Sequence, residues 1–460
     1  MDDESFVEIE LPTIDPAAQE QAQQLNDAAM AICDKHPGEG SITALVMLRR
    51  ALNLAPHQAE TWSNLGLVLW RLGRIEEAGE ALQRAVDLYP DRATFHGNLG
   101  VFCSAVDRAR DASSHLLEAA RLDPNNVTPL WDHALLYLRH GDWARGLKEY
   151  DIRRKHKGPK LYPEMPVPLW RGEDLNGKTL YVQGEQGIGD RFLFSRYLSW
   201  IKETWPDCKI LVSLYDPMTN IFWEFRHLVE FLPQGVPYPK DLDYAAFLCS
   251  LPEMHGSTPD TVPPDPGFLR KRIDIARNDT KVNLPTPALP SLKVGICWTG
   301  NPEQIRNQDR SIPLDLLMPL QEDPRIALYS FQVGPGQKDI DRLHAHDLIC
   351  DLSSSLEKEG WVGTGLAMME MDLMLTVCTS IAHLAGALGV PTWTILCSDP
   401  YWPWGRQGDT TPWYPHMYLY RQTRLGDWKP VLSEVRSALS SLADEKLNPQ
   451  CRTRPAFSLT

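Results

Sequence analysis

Thr179-Leu-Tyr-Val-Gln-Gly-Glu-Gln-Gly-Ile-Gly-Asp190 is the stretch whose reading decides the fold. Residues 180–183 form a short β-prone run. The chain then passes Gly184, Gly187 and Gly189, reaches a carboxylate at Asp190, and enters a helical pattern, Phe192-Leu-Phe-Ser-Arg-Tyr-Leu-Ser-Trp-Ile. The pattern predicts a strand, a glycine-rich turn and a helix start. Glycine permits positive φ and the close approach of another group. The free N–H groups at a helix start suit an anion. The spacing G-x-x-G-x-G differs from the dinucleotide fingerprint G-x-G-x-x-G, so no NAD site is read here. A tight strand-to-helix turn with no ligand accounts for this stretch, taken alone, equally well.

At 460 residues the length suggests about three domains. The composition, 43% hydrophobic and 23% charged, is that of an ordinary globular chain. A net charge of −14 argues against broad binding to nucleic acid or anionic membrane. The nine cysteines are scattered with no C-x-x-C pair, which fits free thiols in a reducing compartment. The acidic start, Met1-Asp-Asp-Glu-Ser, has no apolar core, and no run of 18 apolar residues occurs. The expectation is therefore a cytoplasmic protein with no secretory signal and no membrane span. Several of the fifteen tryptophans adjoin glycine or proline. Such rings often line clefts, with core packing as the alternative.

The first third repeats. Pro56, Pro90 and Pro124 stand 34 residues apart; so do Ala51, Ala85 and Ala119, and Leu48, Leu82 and Leu116. The clearest unit runs over residues 59–92 with Trp62, Leu65, Gly66, Leu69, Gly73, Ala78, Leu82, Ala85 and Pro90. This resembles the tetratricopeptide repeat. The next unit keeps Leu99, Gly100, Ala112, Ala119 and Pro124 but has His96 for the opening aromatic. A fourth, over 127–157, is degenerate, with Gly146 where alanine is expected. Small residues at helix crossings let paired helices pack closely, and proline closes each unit. Stacked pairs make a solenoid whose concave face suits an extended peptide or a partner helix. Recruitment of a partner and a purely structural or dimerising role both fit. Three or four units are near the minimum for such an array, so it is expected to lean on the next domain.

The proline-, lysine- and glycine-rich stretch 155–178 reads as an ordered connector, anchored by Leu161, Tyr162, Leu169 and Trp170. Strands then alternate with helices. The expected strands are 180–183, 209–214 and 245–248 and, after a proline-rich crossing over 257–290, 293–298, 327–332, 372–377 and 391–396. The expected layout is a tail (1–24), a tetratricopeptide α-solenoid (25–155), a connector (156–177), two Rossmann-like domains (178–285 and 286–440) and a tail (441–460).

Ligands of such sheets bind beyond the carboxyl ends of the strands. Two turns of the second half take that position. Trp298-Thr-Gly-Asn301, with Arg310 following, could meet a phosphate; a surface ion pair explains Arg310 as well. Cys378-Thr-Ser-Ile-Ala-His383 offers Thr379 and Ser380 as N-cap residues, hydroxyls and helix N–H groups for a diphosphate, and His383 one turn in. A lone histidine in such a place is also commonly structural. The pairs Asp241-Leu-Asp243 and Asp339-Ile-Asp341 lack the context of a metal site, so no metal is expected.

Taken together these blocks resemble glycosyltransferases of the GT-B fold, heptosyltransferase-like group, joined to tetratricopeptide repeats as in repeat-bearing protein O-glycosyltransferases, including those that modify flagellin. The matching blocks run in family order: Gly184-Glu-Gln-Gly-Ile-Gly-Asp190 with Phe194 and Arg196-Tyr197; Leu248-Cys-Ser-Leu-Pro252; Val294-Gly-Ile-Cys-Trp-Thr-Gly-Asn301 with Arg310-Ser-Ile-Pro313; Thr379-Ser-Ile-Ala-His-Leu-Ala-Gly-Ala-Leu-Gly389; Trp402-Pro-Trp404; and Pro412-Trp-Tyr-Pro415. The resemblance implies a nucleotide-sugar donor, no cofactor, and an acceptor protein recruited by the repeats, flagellin being one candidate; a glycan or lipopolysaccharide acceptor, and a repeat-based interaction protein with a decayed GT-B half, are the alternatives. It implies Asp190 as the general base, with Gly187, Gly189 and Trp402 beside the substrate. It places Trp298, Gly300, Asn301, Arg310, Gln332, Gly334, Thr379, Ser380 and His383 on the donor. The family has aspartate before the Thr-Ser pair; this chain has Cys378.

Overall fold

The computed structural model describes residues 15–35, 40–158, 161–214, 218–233, 235–265, 267–280, 282, 284–287, 289–304 and 306–447. Packing divides the chain after His133 into two compact units.

The first unit is built of antiparallel helix pairs: α1 (Pro16–Lys35) with α2 (Gly40–Leu54), α3 (Ala59–Arg71) with α4 (Ile75–Leu88), and α5 (Ala93–Ala105) with α6 (Ala109–Leu122). The repeat glycines are there for space. A Cβ on Gly66 would come 2.5 Å from Leu82 Cγ, and one on Gly100 2.8 Å from Leu116 Cγ. Each leucine thus fills a hole that only glycine leaves. His96 also takes over a role from Trp62, one repeat earlier. The Trp62 indole donates to the Pro56 carbonyl at 2.8 Å, and His96 Nε2 bonds the Pro90 carbonyl at 2.9 Å. A carbonyl only accepts, so this nitrogen carries the hydrogen. The other nitrogen, Nδ1, lies 2.9 Å from Nδ1 of His115.

Helix α1 opens at Pro16, so the helical array begins before the expected residue 25; residues 1–14 of the expected tail lie outside the described residues. Helix α7 (Thr128–Arg139) crosses the division after His133.

In the second unit, α8 (Trp143–Tyr150) and α9 (Arg153–Lys157) pack with the α/β part. The reason is aromatic. The Trp143 ring stacks on Trp413 at 5.3 Å and meets Trp402 edge-on at 5.4 Å, while Tyr150 and Phe194 close the cluster around Trp402. Each such pair adds about 0.5–1.5 kcal/mol beyond the area it buries. Trp402, Trp404 and Trp413 are fully buried, so these rings are core and not cleft lining. Gly146 stands where the repeat has alanine because Leu138 Cγ would lie 2.6 Å from a Cβ.

The first α/β half has four parallel strands in the order β3-β2-β1-β4: β1 (Thr179–Gln183), β2 (Lys209–Ser213), β3 (Glu230–Leu232) and β4 (Tyr244–Phe247). The connector covers the open β4 edge. Trp170 donates its backbone N–H to Ala245 O, and Ala245 N donates to Pro168 O. This protects an edge that would otherwise pair freely. Trp170 and Tyr162 are buried, as anchors of the connector should be.

The second half has six parallel strands in the order β10-β9-β8-β5-β6-β7: β5 (Leu292–Cys297), β6 (Ile326–Ser330), β7 (Ile349–Asp351), β8 (Leu373–Val377), β9 (Thr392–Leu396) and β10 (Met417–Arg421). Strands β3, β7 and β10 are absent from the sequence reading. The remaining helices are α10 (Ile188–Phe194), α11 (Arg196–Thr204), α12 (Leu251–His255), α13 (Phe268–Ala276), α14 (Asn307–Arg310), α15 (Lys338–Arg342), α16 (Ser353–Met368), α17 (Ser380–Ala387) and α18 (Lys429–Leu447). Helix α13 lies inside the proline-rich crossing, with Ile273 pressed into the space left by Gly365. Helix α18 runs past the expected end of the domain at 440; residues 448–460 lie outside the described residues. A tetratricopeptide-type solenoid followed by two Rossmann-like parallel sheets is the expected fold class. Among the described residues no helix is long and apolar enough to cross a membrane.

Candidate functional site

The glycine-rich turn behaves differently from its expectation. None of Gly184, Gly187 and Gly189 has positive φ; Gln186 does, at 61°. The glycines serve close approach instead. A Cβ on Gly184 would lie 2.9 Å from Ser213 O, one on Gly187 3.0 Å from Asp190 Oδ2, and one on Gly189 2.7 Å from His383 Cδ2. Gly189 therefore brings α10 of the first half against α17 of the second.

Asp190 stands three residues into α10 after its N-cap, Gly187. Its Oδ2 accepts the Gly187 N–H at 2.8 Å, and its Oδ1 accepts the Tyr401 hydroxyl from the second half. The side chain is half-buried. Burial lifts its pKa to about 6; the bonds from Tyr401 and Gly187 hold it down, and Glu185 pushes it up. Glu185, fully buried in the same turn, is held by Arg153 Nη2 at 2.8 Å and by the Cys249 N–H at 3.2 Å. Arg153 also donates to Ser250 Oγ at 2.6 Å, and its guanidinium lies 4.8 Å over the Tyr150 ring.

Across from Asp190, Thr379 caps α17, its hydroxyl accepting the Ile381 N–H at 3.3 Å, and Ser380 is half-buried at the first turn. Arg310 donates to Cys378 O at 2.7 Å, so a guanidinium is tied beside this helix start. Gly300 is needed here, because a Cβ would collide with that guanidinium and with Asn307. Gln332, buried after β6, accepts from the Trp298 and Thr299 N–H groups at 3.3 and 3.0 Å and so pins the loop. His383 is buried. It stacks on Trp404 at 4.8 Å, and its Nδ1 lies 3.2 Å from Tyr414 Oη. Burial, with repulsion from Arg196 and Arg310, drops its pKa to about 3. It is neutral, so Arg310 and the helix start carry the positive potential of this turn.

Of the other expected residues, two are buried and two are exposed on loops. Trp298 is packed in the core of the six-stranded sheet, its indole donating to Asp339 Oδ2 at 3.0 Å, so its side chain does not face a cleft. Trp402 likewise belongs to the aromatic cluster. Asn301 is exposed and caps its own turn through the Glu303 N–H at 3.0 Å. Gly334, with φ at 71°, opens the turn after β6, and a Cβ there would meet nothing within 4 Å. The aspartate pairs also have structural partners: Asp243 holds Thr179 N and Lys178, and Asp339 holds Trp298 and Arg342.

Sequence reasoning missed Tyr401, Trp404 and Tyr414, which face Asp190 and His383 from loops after β9. It also missed the buried Asp399, which gathers Arg139, Arg306 and Arg406 at 3.0, 2.6 and 3.2 Å. The signals were the matching blocks Trp402-Pro-Trp404 and Pro412-Trp-Tyr-Pro415, which hold Trp404 and Tyr414 but gave them no role, and the dense run Asp399-Pro-Tyr-Trp-Pro-Trp404 directly after a strand. Cys378, directly before Thr379, is buried and accepts the Trp404 indole N–H at 2.9 Å. A separate cavity of 370 Å³ opens at the ends of β1, β2 and β3, lined by Gln183, Ser213, Leu232 and Tyr238 among others, but not by Asp190.

Residues 59–92 match the tetratricopeptide repeat family. The chain carries a tetratricopeptide repeat. This repeat comprises α3 and α4, and its order in the chain, ahead of two parallel α/β halves, is that of the resemblance to repeat-bearing glycosyltransferases. Protein FlbA of Caulobacter vibrioides is 25% identical over 342 residues, 67% of this chain and 54% of FlbA. The chain thus spans about half the length of that curated relative. Among solved structures, a mutant of the Thermobaculum terrenum O-GlcNAc transferase aligns over 96% of this chain and 94% of its own, at 14% identity and a TM-score of 0.33. PilF of Pseudomonas aeruginosa aligns over 31% of this chain and 65% of its own, at 21% identity and a TM-score of 0.29. Neither of these structural likenesses bears on function.

Proposed function

We propose that the chain is a glycosyltransferase that moves a sugar from a nucleotide-sugar donor to a hydroxyl acceptor, with Asp190 as general base and no metal. One observation carries the reading. A half-buried carboxylate with a pKa of about 6 sits at the contact of two α/β halves, where Gly189 meets His383, opposite a helix start flanked by arginine. A base poised near neutrality takes a hydroxyl proton as the hydroxyl attacks the sugar carbon. The proton passes to Asp190, the carbon–oxygen bond to the diphosphate breaks, and the leaving diphosphate takes the electron pair. Thr379, Ser380, the first N–H groups of α17 and Arg310 stabilise that charge. The tetratricopeptide solenoid recruits the acceptor, a protein such as flagellin, in the cytoplasm.

The test is a panel of nucleotide sugars screened by thermal shift, followed by transfer to flagellin with wild type and with Asp190→Ala. Binding of a donor with turnover lost in the variant supports the reading; undiminished turnover removes Asp190 as base.

Cys378 favours a second reading, an interaction protein whose α/β halves no longer catalyse. A thiol lacks the charge and acceptor capacity of the family's carboxylate, and here it is used up by the Trp404 indole. A complete absence of nucleotide binding in the screen would favour it.

A further inference from the structure

Asp190 has two oxygens, and each is already held by a different part of the fold. Oδ2 accepts from its own turn, the Gly187 N–H at 2.8 Å, whereas Oδ1 accepts from Tyr401, which follows β9 in the second half. Tyr401 is half-buried, and its loop is fixed on both sides. Before it, Asp399 is held by three arginines; after it, Arg421 donates to Trp404 O, Gly405 O and Gly408 O at 2.6, 2.9 and 2.6 Å. The phenol is therefore presented by a braced segment, and a braced donor loses little freedom in making its bond.

We propose that Tyr401 is a positioning residue for Asp190. Its hydroxyl reaches from the second α/β half to Oδ1, fixes the carboxylate plane, and leaves the remaining lone pairs for an acceptor hydroxyl only while the two halves are together. The base is thereby held by groups from both halves. This rests on the reading of Asp190 as base. A phenol donates to a carboxylate more strongly than to a carboxylic acid, so the contact favours the charged form. The ionisable groups facing Asp190 are Glu185 and Arg191 from its own turn and helix, Tyr150 from α8, Cys249 after β4, and Cys378, Tyr401 and Tyr414 from the second half. Burial holds the five phenols and thiols above their ordinary values, so they stay neutral between pH 5 and 8.

The test compares wild type, Tyr401→Phe, Asp190→Asn and the double variant. Melting temperature from pH 5 to pH 8 needs no substrate. Tyr401→Phe should lower Tm about twice as much at pH 8, where Asp190 is charged, as at pH 5. In the Asp190→Asn background the loss should not depend on pH. Equal losses at every pH in both backgrounds overturn the contact. Kinetics with the nucleotide sugar found in the donor screen adds the second arm. Tyr401→Phe should shift the acid limb of kcat to higher pH, with donor KM held, so the rate loss is larger at pH 6 than at pH 8. An unmoved limb beside an inactive Asp190→Asn overturns the positioning role. Full turnover in Asp190→Asn would instead overturn the base reading, while the Tm comparison still decides the contact.

Discussion

Gly189 and the His383 ring touch: a side chain of even one carbon at 189 would come 2.7 Å from Cδ2. His383 cannot give way easily, because Trp404 stacks on its face and Tyr414 holds its Nδ1. Gly189→Ala is expected to destabilise the α/β part by about 1–3 kcal/mol, the usual cost of overpacking. It should also weaken nucleotide-sugar binding, because α17 is displaced. Urea denaturation and thermal shift with donor check both. An unchanged midpoint would show that the halves separate freely at this point.

The repeat glycines make a sharper contrast. Gly66→Ala places a Cβ 2.5 Å from Leu82 and should cost about 1–3 kcal/mol by overpacking. Gly73→Ala meets no neighbour, but the residue has φ at 73°, so its cost is backbone strain of about 1 kcal/mol. Circular dichroism melts of the full chain should rank Gly66→Ala as the more damaging.

Arg153→Met leaves Glu185 buried without its cation. Removing one partner of a buried pair costs about 3–5 kcal/mol. The further change Glu185→Gln should return part of the loss, since the amide carries no charge. Denaturation midpoints of the single and double variants measure the coupling; additive losses would mean that the pair acts only as packing.

Asp190 gives a pH dependence of defined sign. Its folded pKa, about 6, lies above the ordinary carboxylate value of 3.8, so the folded state holds the proton longer than the unfolded one. Its contribution is most favourable below the ordinary value and declines as pH rises from about 4 to about 6, then levels off. Asp190→Asn should flatten that decline in Tm. If Asp190 is the base, turnover runs the other way and rises through about pH 6 as the carboxylate ionises.

Much of this was legible in the chain. A 34-residue spacing of alanine, leucine and proline marks a repeated helix pair, because each unit buries the same positions. Seven strands were visible because their apolar runs end at glycine, proline or capping residues. Strands β3 and β7 have three residues each, too few for a pattern, and β10 hides in an aromatic run, Met417-Tyr-Leu-Tyr-Arg421.

The site divides along the same line. Sequence by itself determined the solenoid, the alternation of strands and helices, and the turns carrying Asp190 and Thr379, since each leaves a local apolar, glycine or capping pattern or a regular repeat of one. Only the tertiary structure decided that Gly189 meets His383, that Tyr401 holds Asp190 from 211 residues away, and that Trp298 and Trp402 are core. An indole fits a cleft and a core equally well by composition. Which one it occupies depends on what the fold packs against it, and that is set by segments far apart in the chain.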